Sequence, residues 1–443
     1  MSMTMEQEVP AGSLLAALGL EENFRPAEPK SIAETGLSEA LIEAMLCKFL
    51  LAVGSDSGRG LADKLHLPFG ILEQTFQSLR QRQVMVANGS APLNDFNYTL
   101  SDRGRTFAQS AMAACSYIGP APVPLSDYVV SVEAQTIRAE APRRKHLEKA
   151  FGDVHVEEHM LNNLGPALNA GKGMFLYGAP GNGKTTIAKR ITKCFGQEIL
   201  VPHAIVEDGQ FIKFFDGACH EPVQAKQHAL LKATDHDRRW VRIKRPTVIV
   251  GGELTMESLE LKHDYKCNVS EASLQMKSNC GCLLIDDFGR QRIEPAQLLN
   301  RWIIPLENRI DYLTLATGKK IEVPFEQLII FSTNLEPSDL ADDAFLRRIP
   351  YKIEVGDPER EEFHTLFEVA ASQTDCPYDA SMVDYLIEKH YLPRGRPLRR
   401  CQPRDLLLHV VNYCTYHELP VEMTEEYLDR AAECYFTVVA GKE

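Results

Sequence analysis

One segment constrains the fold of this 443-residue chain more than any other, and it consists of Gly178, Ala179, Pro180, Gly181, Asn182, Gly183, Lys184, Thr185 and Thr186. It follows a short apolar run, Met174–Tyr177, and precedes the helix-like run IAKRITKCF. Backbone N–H groups of such a loop surround phosphates, and the next helix adds the positive end of its dipole. We therefore predict that the segment binds ATP, with Lys184 at the β- and γ-phosphates and Thr185 as a ligand of Mg²⁺.

Two later apolar runs end in side chains that suit the same chemistry. Asp286 and Asp287 follow the run CLLI, and Asn334 follows the run LIIFST. Ligands bind at the carboxyl ends of strands in open α/β sheets. We predict that Asp286 holds Mg²⁺ and that Asp287 orients or deprotonates the attacking water. Asn334 either hydrogen-bonds that water or the γ-phosphate, or satisfies a turn at the strand end.

The order of apolar patterns divides the chain into five parts. From about residue 145 strands alternate with helices, as in a parallel sheet with crossovers, and beyond about residue 358 only helical patterns remain. A segment with three prolines, 118–126, indicates a stiff linker. We predict an α/β fold with a flexible tail (1–30), a winged-helix-like domain (31–117), a linker (118–144), a three-layer P-loop α/β core (145–357) and a C-terminal helical lid (358–443).

The segment before the linker has the element order of a winged helix-turn-helix. Apolar residues at helical spacing predict helices at Leu37–Val53, Leu61–Leu65 and Phe69–Gln81. Two strand-like runs and a closing helix follow. Seven basic and eight acidic residues between 31 and 120 leave a net charge of −1. Because phosphate neutralisation supplies much of the affinity for DNA, this charge favours docking of a protein partner. Arg80 and Arg82 keep DNA binding as an alternative.

Together these motifs resemble the AAA+ ATPase superfamily over roughly residues 145–440, most of the chain. The resemblance implies that Gly178–Thr186 is a Walker A loop and that Asp286 and Asp287 form the Walker B pair. It also implies that Asn334 is the sensor-1 residue. The expected fold is therefore an AAA+ core with a helical lid, and the expected cofactors are ATP and Mg²⁺.

Two further segments look like parts of the same superfamily pattern. In the segment 342–349, DDAFLRRI, the resemblance implies that Arg347 or Arg348 is an arginine finger that reaches the γ-phosphate of a neighbouring subunit. Arg404, near the start of a lid helix, looks like the sensor-2 residue. A finger acts only where subunits meet, so we expect a homo-oligomeric ring, specifically a hexamer.

The chain departs from the common pattern in two ways. Many members have Glu where this chain has Asp287, and the shorter carboxylate could leave hydrolysis slow. About a hundred residues separate Thr185 from Asp286, and they include a predicted hairpin at 204–215. A second hairpin, at 312–323, looks like the pre-sensor-1 insertion of the MoxR, magnesium-chelatase and enhancer-binding branches. A group of bacterial ATPases associated with Flp-pilus assembly looks similar as well.

Composition argues against several other classes of protein. The net charge of −13 gives no general attraction to nucleic acid or anionic lipid. The sequence contains no run of eighteen apolar residues, so we expect no segment that spans a membrane. The eleven scattered cysteines and the acidic N-terminus favour a reduced, cytoplasmic protein without a secretory signal.

Two minor motifs have competing interpretations. His155-Val-Glu-Glu158-His159 fits the spacing of an inverted zinc-protease motif, but its position before the phosphate loop favours a structural role. The basic stretch 226–245, which includes Trp240, could bind nucleic acid, or it could be a solvated insertion, which we favour.

These observations predict an ATP-hydrolysing remodeller or chaperone-like ATPase that acts on a protein partner as a ring. The alternative is a DNA-binding winged-helix regulator or loader in which ATP drives a switch. A third interpretation, suggested by Asp287, is a nucleotide-binding scaffold with negligible hydrolysis.

Overall fold

The computed structural model describes residues 24–93, 95–152, 156–196, 198–223, 236–340 and 343–436. Residues 1–23 of the predicted tail therefore lie outside the described residues. The end of that tail is packed: Phe24 meets Trp240 edge to face, with 5.2 Å between the ring centroids. The backbone carbonyl of Pro26 also accepts a hydrogen bond from the N–H of Asp237 (2.8 Å).

The N-terminal region consists of four helices and a small antiparallel sheet. Its elements are α1 (Glu39–Val53), β1 (Ser55–Ser57), α2 (Gly58–Leu65), α3 (Phe69–Gln81), β2 (Met85–Ala91), β3 (Asp95–Leu100) and α4 (Asp102–Ala114). Ser38, Ser57 and Ser101 cap α1, α2 and α4 by accepting a hydrogen bond from a backbone N–H of the first turn. The sheet order is β1-β3-β2, and β1 is a strand that we did not predict. The winged-helix assignment stays a prediction.

The middle of the chain alternates strands and helices. Its strands are β4 (Val123–Pro124), β5 (Met174–Tyr177), β6 (Glu198–Pro202), β7 (Ala204–Glu207), β8 (Gln210–Lys213), β9 (Trp240–Lys244), β10 (Thr247–Val250), β11 (Lys262–Asp264), β12 (Val269–Glu271), β13 (Cys282–Ile285), β14 (Ile310–Thr314), β15 (Lys320–Pro324), β16 (Leu328–Thr333) and β17 (Tyr351–Glu354). Its helices are α5 (Leu125–Ala134), α6 (Arg144–Ala150), α7 (Glu158–Ala170), α8 (Lys184–Ile191), α9 (Leu274–Lys277), α10 (Pro295–Arg301), α11 (Ile303–Asn308), α12 (Pro337–Leu340) and α13 (Asp343–Leu346).

The central sheet has five strands in the order β10-β13-β16-β5-β17, and every neighbouring pair is parallel. All residues of β13 and β16 are buried, as expected for strands covered on both faces. The predicted mixed α/β fold with a parallel sheet is therefore confirmed. Because β16 lies between β5 and β13, the carboxyl ends of these three strands meet at one edge.

A second sheet, ordered β11-β12-β8-β7-β4, joins this core to the N-terminal region. Its β7–β8 hairpin turns at Asp208 and Gly209, whose φ angles of 52° and 74° fit the predicted two-residue turn. The second predicted hairpin is β14–β15.

Residues 118–144, predicted as a linker, contain β4 and α5. The buried Arg239 guanidinium donates to the carbonyls of Thr35 (2.8 Å) and Pro122 (3.2 Å), which ties the N-terminal region to this sheet.

The C-terminal part of the described chain is helical. It contains α14 (Arg360–Gln373), α15 (Ala380–Leu386), α16 (Gln402–His417) and α17 (Glu425–Tyr435), in agreement with the helical patterns beyond about residue 358. A π-helical turn, Ile387–Tyr391, continues α15. The core of this C-terminal helical part contains the fully buried side chains of Phe363, Phe367, Leu406 and Leu428. Among the described residues, no helix is long and apolar enough to cross a membrane.

Candidate functional site

The Gly-rich loop connects β5 to α8, as the sequence predicts. Gly178, Gly181 and Gly183 have φ angles of +135°, +86° and +84°, where other residues are strained. A Cβ on Gly178 would lie 2.5 Å from the carbonyl oxygen of Val355, and one on Gly181 would lie 2.7 Å from the sulfur of Cys401. Glycine at these positions lets the loop pass between β17 and the C-terminal helical part, which the sequence predicts to be a lid (358–443; hereafter the lid).

A cleft of about 410 Å³ opens over this loop. It brings together most of the predicted site residues, which are Pro180, Gly181, Asn182, Gly183, Lys184, Thr185, Thr186, Asp286, Asp287, Asn334 and Arg404. Gly178 and Ala179 do not line the cleft, but their carbonyls contact its lysine. Arg347 and Arg348 do not line it either.

Lys184 is the central cation of the cleft and is only 7% exposed. Its Nζ donates to the carbonyls of Gly178 (2.8 Å) and Ala179 (3.0 Å) and to Oδ1 of Asn334 (2.7 Å). Burial lowers the pKa of Lys184, whereas the nearby carboxylates of Asp286 and Asp287 favour its charged form. The ammonium is therefore held in place by these three acceptors.

The acidic side of the cleft is built from the ends of β13 and β16. The hydroxyl of Thr185 donates to Oδ2 of Asp286 (2.8 Å), so the two predicted metal ligands lie side by side. Nδ2 of Asn334 donates to Oδ1 of Asp287 at 3.4 Å. A hydroxyl and a carboxylate are the oxygen donors that Mg²⁺ prefers, with water and phosphate as its other ligands. The residues present therefore fit the predicted ion.

The side chain of Asn182 braces the loop from outside the cleft's polar centre. It is 1% exposed, and its Nδ2 donates to the carbonyl of Val355 (3.2 Å) and to Oδ1 of Asp357 (2.7 Å). The guanidinium of Arg399 also pairs with Asp357. Asn182 thus links the loop to the segment that follows β17.

Lid residues that we did not predict also form the cleft. The N–H of Cys401 donates to the carbonyl of Gly181 (2.9 Å). Arg400 pairs with Glu362 of the lid and with Glu157 of the core, the latter at 3.2 Å. Burial raises the pKa of Glu362 to about 7, Glu157 adds to the rise and Arg400 opposes it. These contacts fasten the lid directly to the phosphate loop.

The predicted sensor-2 residue, Arg404, lies at the cleft but faces solvent. Its side chain is 65% exposed and pairs with Asp405 at 2.8 Å. Arg400, whose side chain is 14% exposed, lies deeper in the same cleft. Both arginines line the cleft.

The two candidate finger arginines differ in their surroundings. Arg348 pairs with Glu307, with Nη2 to Oε1 at 2.6 Å. Arg347 is exposed, and its guanidinium makes no ion pair or hydrogen bond in the part of the chain that the structure describes. Asp342 of the predicted segment lies outside that part. Neither arginine is among the described residues that line the cleft of its own chain.

The two minor motifs give little chemistry within the described residues. His155 lies outside them, Glu158 pairs with Arg144 (2.9 Å), and no cluster of three metal-ligating side chains is found among the described residues.

In the basic stretch, residues 226, 232 and 235 lie outside the described residues as well. Every other basic residue of the stretch has an acidic partner, and these residues are Arg238, Arg239, Arg242, Lys244 and Arg245. Trp240 is buried, so the stacking interpretation is wrong.

Comparison with known proteins gives partial matches. A family described as a domain of unknown function (DUF8689) matches residues 359–434, which hold the lid helices. Comparison with curated proteins finds no match.

Three solved structures are similar to part of this chain. NtrX from Brucella abortus in complex with ADP is 15% identical, with a TM-score of 0.40, over 67% of this chain and 59% of that one. The BchI–BchD complex of magnesium chelatase is 19% identical, with a TM-score of 0.35, over 64% and 93%. The RuvB Holliday junction branch migration motor of Thermotoga maritima is 14% identical, with a TM-score of 0.35, over 63% and 69%.

Proposed function

We propose that this chain is a Mg²⁺-dependent ATPase of the AAA+ type. The observation that carries the proposal is the position of Asn334, whose amide accepts from Lys184 and donates to Asp287. One side chain thus links the cation suited to the γ-phosphate with the carboxylate suited to the attacking water. A strand-end Asn that merely satisfied a turn would not connect these two groups.

Each group has a defined task in the proposed reaction. Backbone N–H groups of the loop and the N-terminus of α8 hold the phosphates, and Lys184 neutralises charge on the β- and γ-oxygens. Thr185 and Asp286 would hold Mg²⁺, which neutralises further charge on the phosphates. Asp287 accepts a hydrogen bond from the attacking water, orients it in line and takes up its proton.

We further propose that the enzyme works as a ring, as a hexamer, on a protein partner. An exposed Arg347 without a partner in its own described chain supports a role across a subunit boundary. The N-terminal region supports a protein partner, because its two candidate DNA contacts are engaged within it. Arg80 stacks over Phe96 at 5.0 Å, and Arg82 pairs with Glu43 at 2.7 Å. These contacts disfavour the alternative of a DNA-binding regulator or loader acting through residues 31–117.

The test is phosphate release by the Asp287→Asn variant. We expect release to fall about 10²-fold or more while ATP binding persists, since general-base groups contribute roughly this factor. Asp375→Asn is a matched control, because Asp375 is exposed and shares the left-handed backbone of Asp287, with φ angles of 52° and 49°.

The outcomes separate the interpretations. Wild-type release together with ATP-induced assembly, measured by light scattering, supports the ring ATPase. Tight ATP binding without release would instead support the nucleotide-binding scaffold. Unchanged release in Asp287→Asn would remove this residue from the proposed mechanism.

A further inference from the structure

A second, larger concavity lies at the far end of helix α8. This groove encloses about 1150 Å³ between α6, the end of α8 and the strands β9 and β10. Small-molecule pockets span about 300–1,000 Å³, so an open groove of this size suits a polymer better than a single small ligand. It shares no lining residue with the ATP cleft.

The groove is basic in an otherwise acidic protein. Among the residues that the structure describes, seven cations and three carboxylates line it, a charge of +4 where the whole chain carries −13. The carboxylates are all engaged: Glu140 pairs with Arg245, Glu221 with Lys244 and Glu198 with Arg242. Internal ion pairs therefore account for the acidic side chains and for two of the seven lining cations.

Five lining cations have no such partner in the part of the chain that the structure describes. They are Arg143, Lys145, Lys149, Lys189 and Lys193. All five are exposed, and none of their side chains forms an ion pair or hydrogen bond within the described ranges. Two come from α8 and the 3-10 turn after it, and three from α6 and the residue before it. Two walls of one groove thus present unneutralised charge to each other.

The chemistry of the lining favours phosphates over an acidic protein. Protein interfaces are depleted in Lys and depend on apolar or aromatic anchors. In this groove, Phe195 is only 4% exposed and so offers little apolar surface to a partner. Ile249, at 39% exposure, is a large apolar side chain that is accessible. Binding to a nucleic-acid backbone needs no such anchors, because its affinity comes from neutralising phosphates and releasing counterions.

We propose that this groove binds the phosphate backbone of a nucleic acid without sequence specificity. Lys193 of the groove follows Lys184 of the ATP cleft by nine residues, so these two lysines lie about 13 Å apart along the helix direction, at about 1.5 Å per residue. This site lies outside residues 31–117. Of the basic stretch it includes Lys244 and Arg245, which are already paired with Glu221 and Glu140. The inference goes beyond the proposed ATPase activity and does not depend on it.

The test is binding of a labelled 30-nucleotide DNA, single-stranded and duplex, measured by fluorescence anisotropy against salt concentration. We expect Lys149→Glu/Lys193→Glu to weaken binding about tenfold or more and to reduce the salt slope by roughly 1.5, as for two lost phosphate contacts. ATP hydrolysis without DNA should stay unchanged. If the double variant does not fold, as judged by circular dichroism, Lys149→Gln/Lys193→Gln replaces it.

The matched control is Arg103→Glu/Arg105→Glu, which makes the same change of charge on exposed residues of α4. Its DNA binding should stay near the wild-type value. A loss in this control equal to that of the groove variant would overturn the proposal in favour of residues 31–117. Poly-glutamate binding as tightly as DNA at equal ionic strength would overturn it in favour of an acidic protein. Failure of the wild type to bind either DNA would also refute it.

Discussion

The two ends of helix α8 carry cations in opposite states. At its N-terminal end Lys184 is buried and donates three hydrogen bonds, and the lid cations around it are held by carboxylates. At its C-terminal end Lys189 and Lys193 are exposed and have no partner in the described chain. Fixed cations are preorganised for one ligand geometry, whereas flexible exposed ones suit a ligand of repeating charge. Pairing, rather than charge alone, distinguishes the two sites.

The neighbouring arginines at the end of α13 sharpen this comparison most strongly. If an unpaired cation awaits an external anion, Arg347→Ala should lower ATP turnover of the assembled protein about 10³-fold, the lower range for arginine fingers. Arg348→Ala should lower turnover far less, because Arg348 already pairs with Glu307. Phosphate release at a protein concentration that maintains the assembly measures both effects.

The same two variants should rank differently in stability. Arg348→Ala breaks a partly exposed ion pair and should lower the free energy of unfolding by about 0–1 kcal/mol, while Arg347→Ala should leave it unchanged.

Mixing Arg347→Ala subunits with Lys184→Ala subunits should restore part of the turnover, because intact fingers then face intact clefts. Equal loss of turnover in both single variants would break the link between pairing and function.

The next largest expected effect is the loss of DNA affinity, about tenfold, in the groove variant Lys149→Glu/Lys193→Glu. Its salt dependence is the informative quantity. The exposed cations of the groove should lose their effect as salt rises, whereas the buried Lys184 should be much less screened.

The smallest predicted effect concerns the lid latch of Glu157, Glu362 and Arg400. The folded protein keeps a proton on Glu362 up to a pKa of about 7, whereas the unfolded chain releases it near the ordinary glutamate value of 4.5. Between these pH values the folded state binds more protons, so this residue makes the free energy of unfolding fall as pH rises. Glu362→Gln should flatten that slope in thermal melts from pH 4.5 to 7. A slope that persists in Glu362→Gln would show that other groups cause it.

Local sequence patterns predicted those parts of the cleft that are each formed by one short run of residues. The phosphate loop, the carboxylates after β13 and Asn334 after β16 each follow an apolar strand, and parallel pairing brings these strand ends together. The β7–β8 hairpin was likewise encoded by Asp208-Gly209. In each case a short run of residues fixes the local geometry.

The lid contacts could not be predicted in this way. Arg400 meets Glu157 across 243 positions of the chain, and nothing near either residue distinguishes the pair from exposed charges. The short strand β1 was missed because Ser55–Ser57 has no apolar alternation. The basic stretch appeared free in the sequence because its partners, such as Asp63 for Arg238, are distant in the chain.

The most direct test of the account is steady-state phosphate release from MgATP by the full chain and by Lys184→Ala, with Lys172→Ala as a control at an exposed lysine outside the cleft. We expect saturable release that requires Mg²⁺, is lost by about 10²-fold or more in Lys184→Ala and is unchanged in the control. Equal release by Lys184→Ala and the wild type would contradict the assignment of this cleft as the ATPase site.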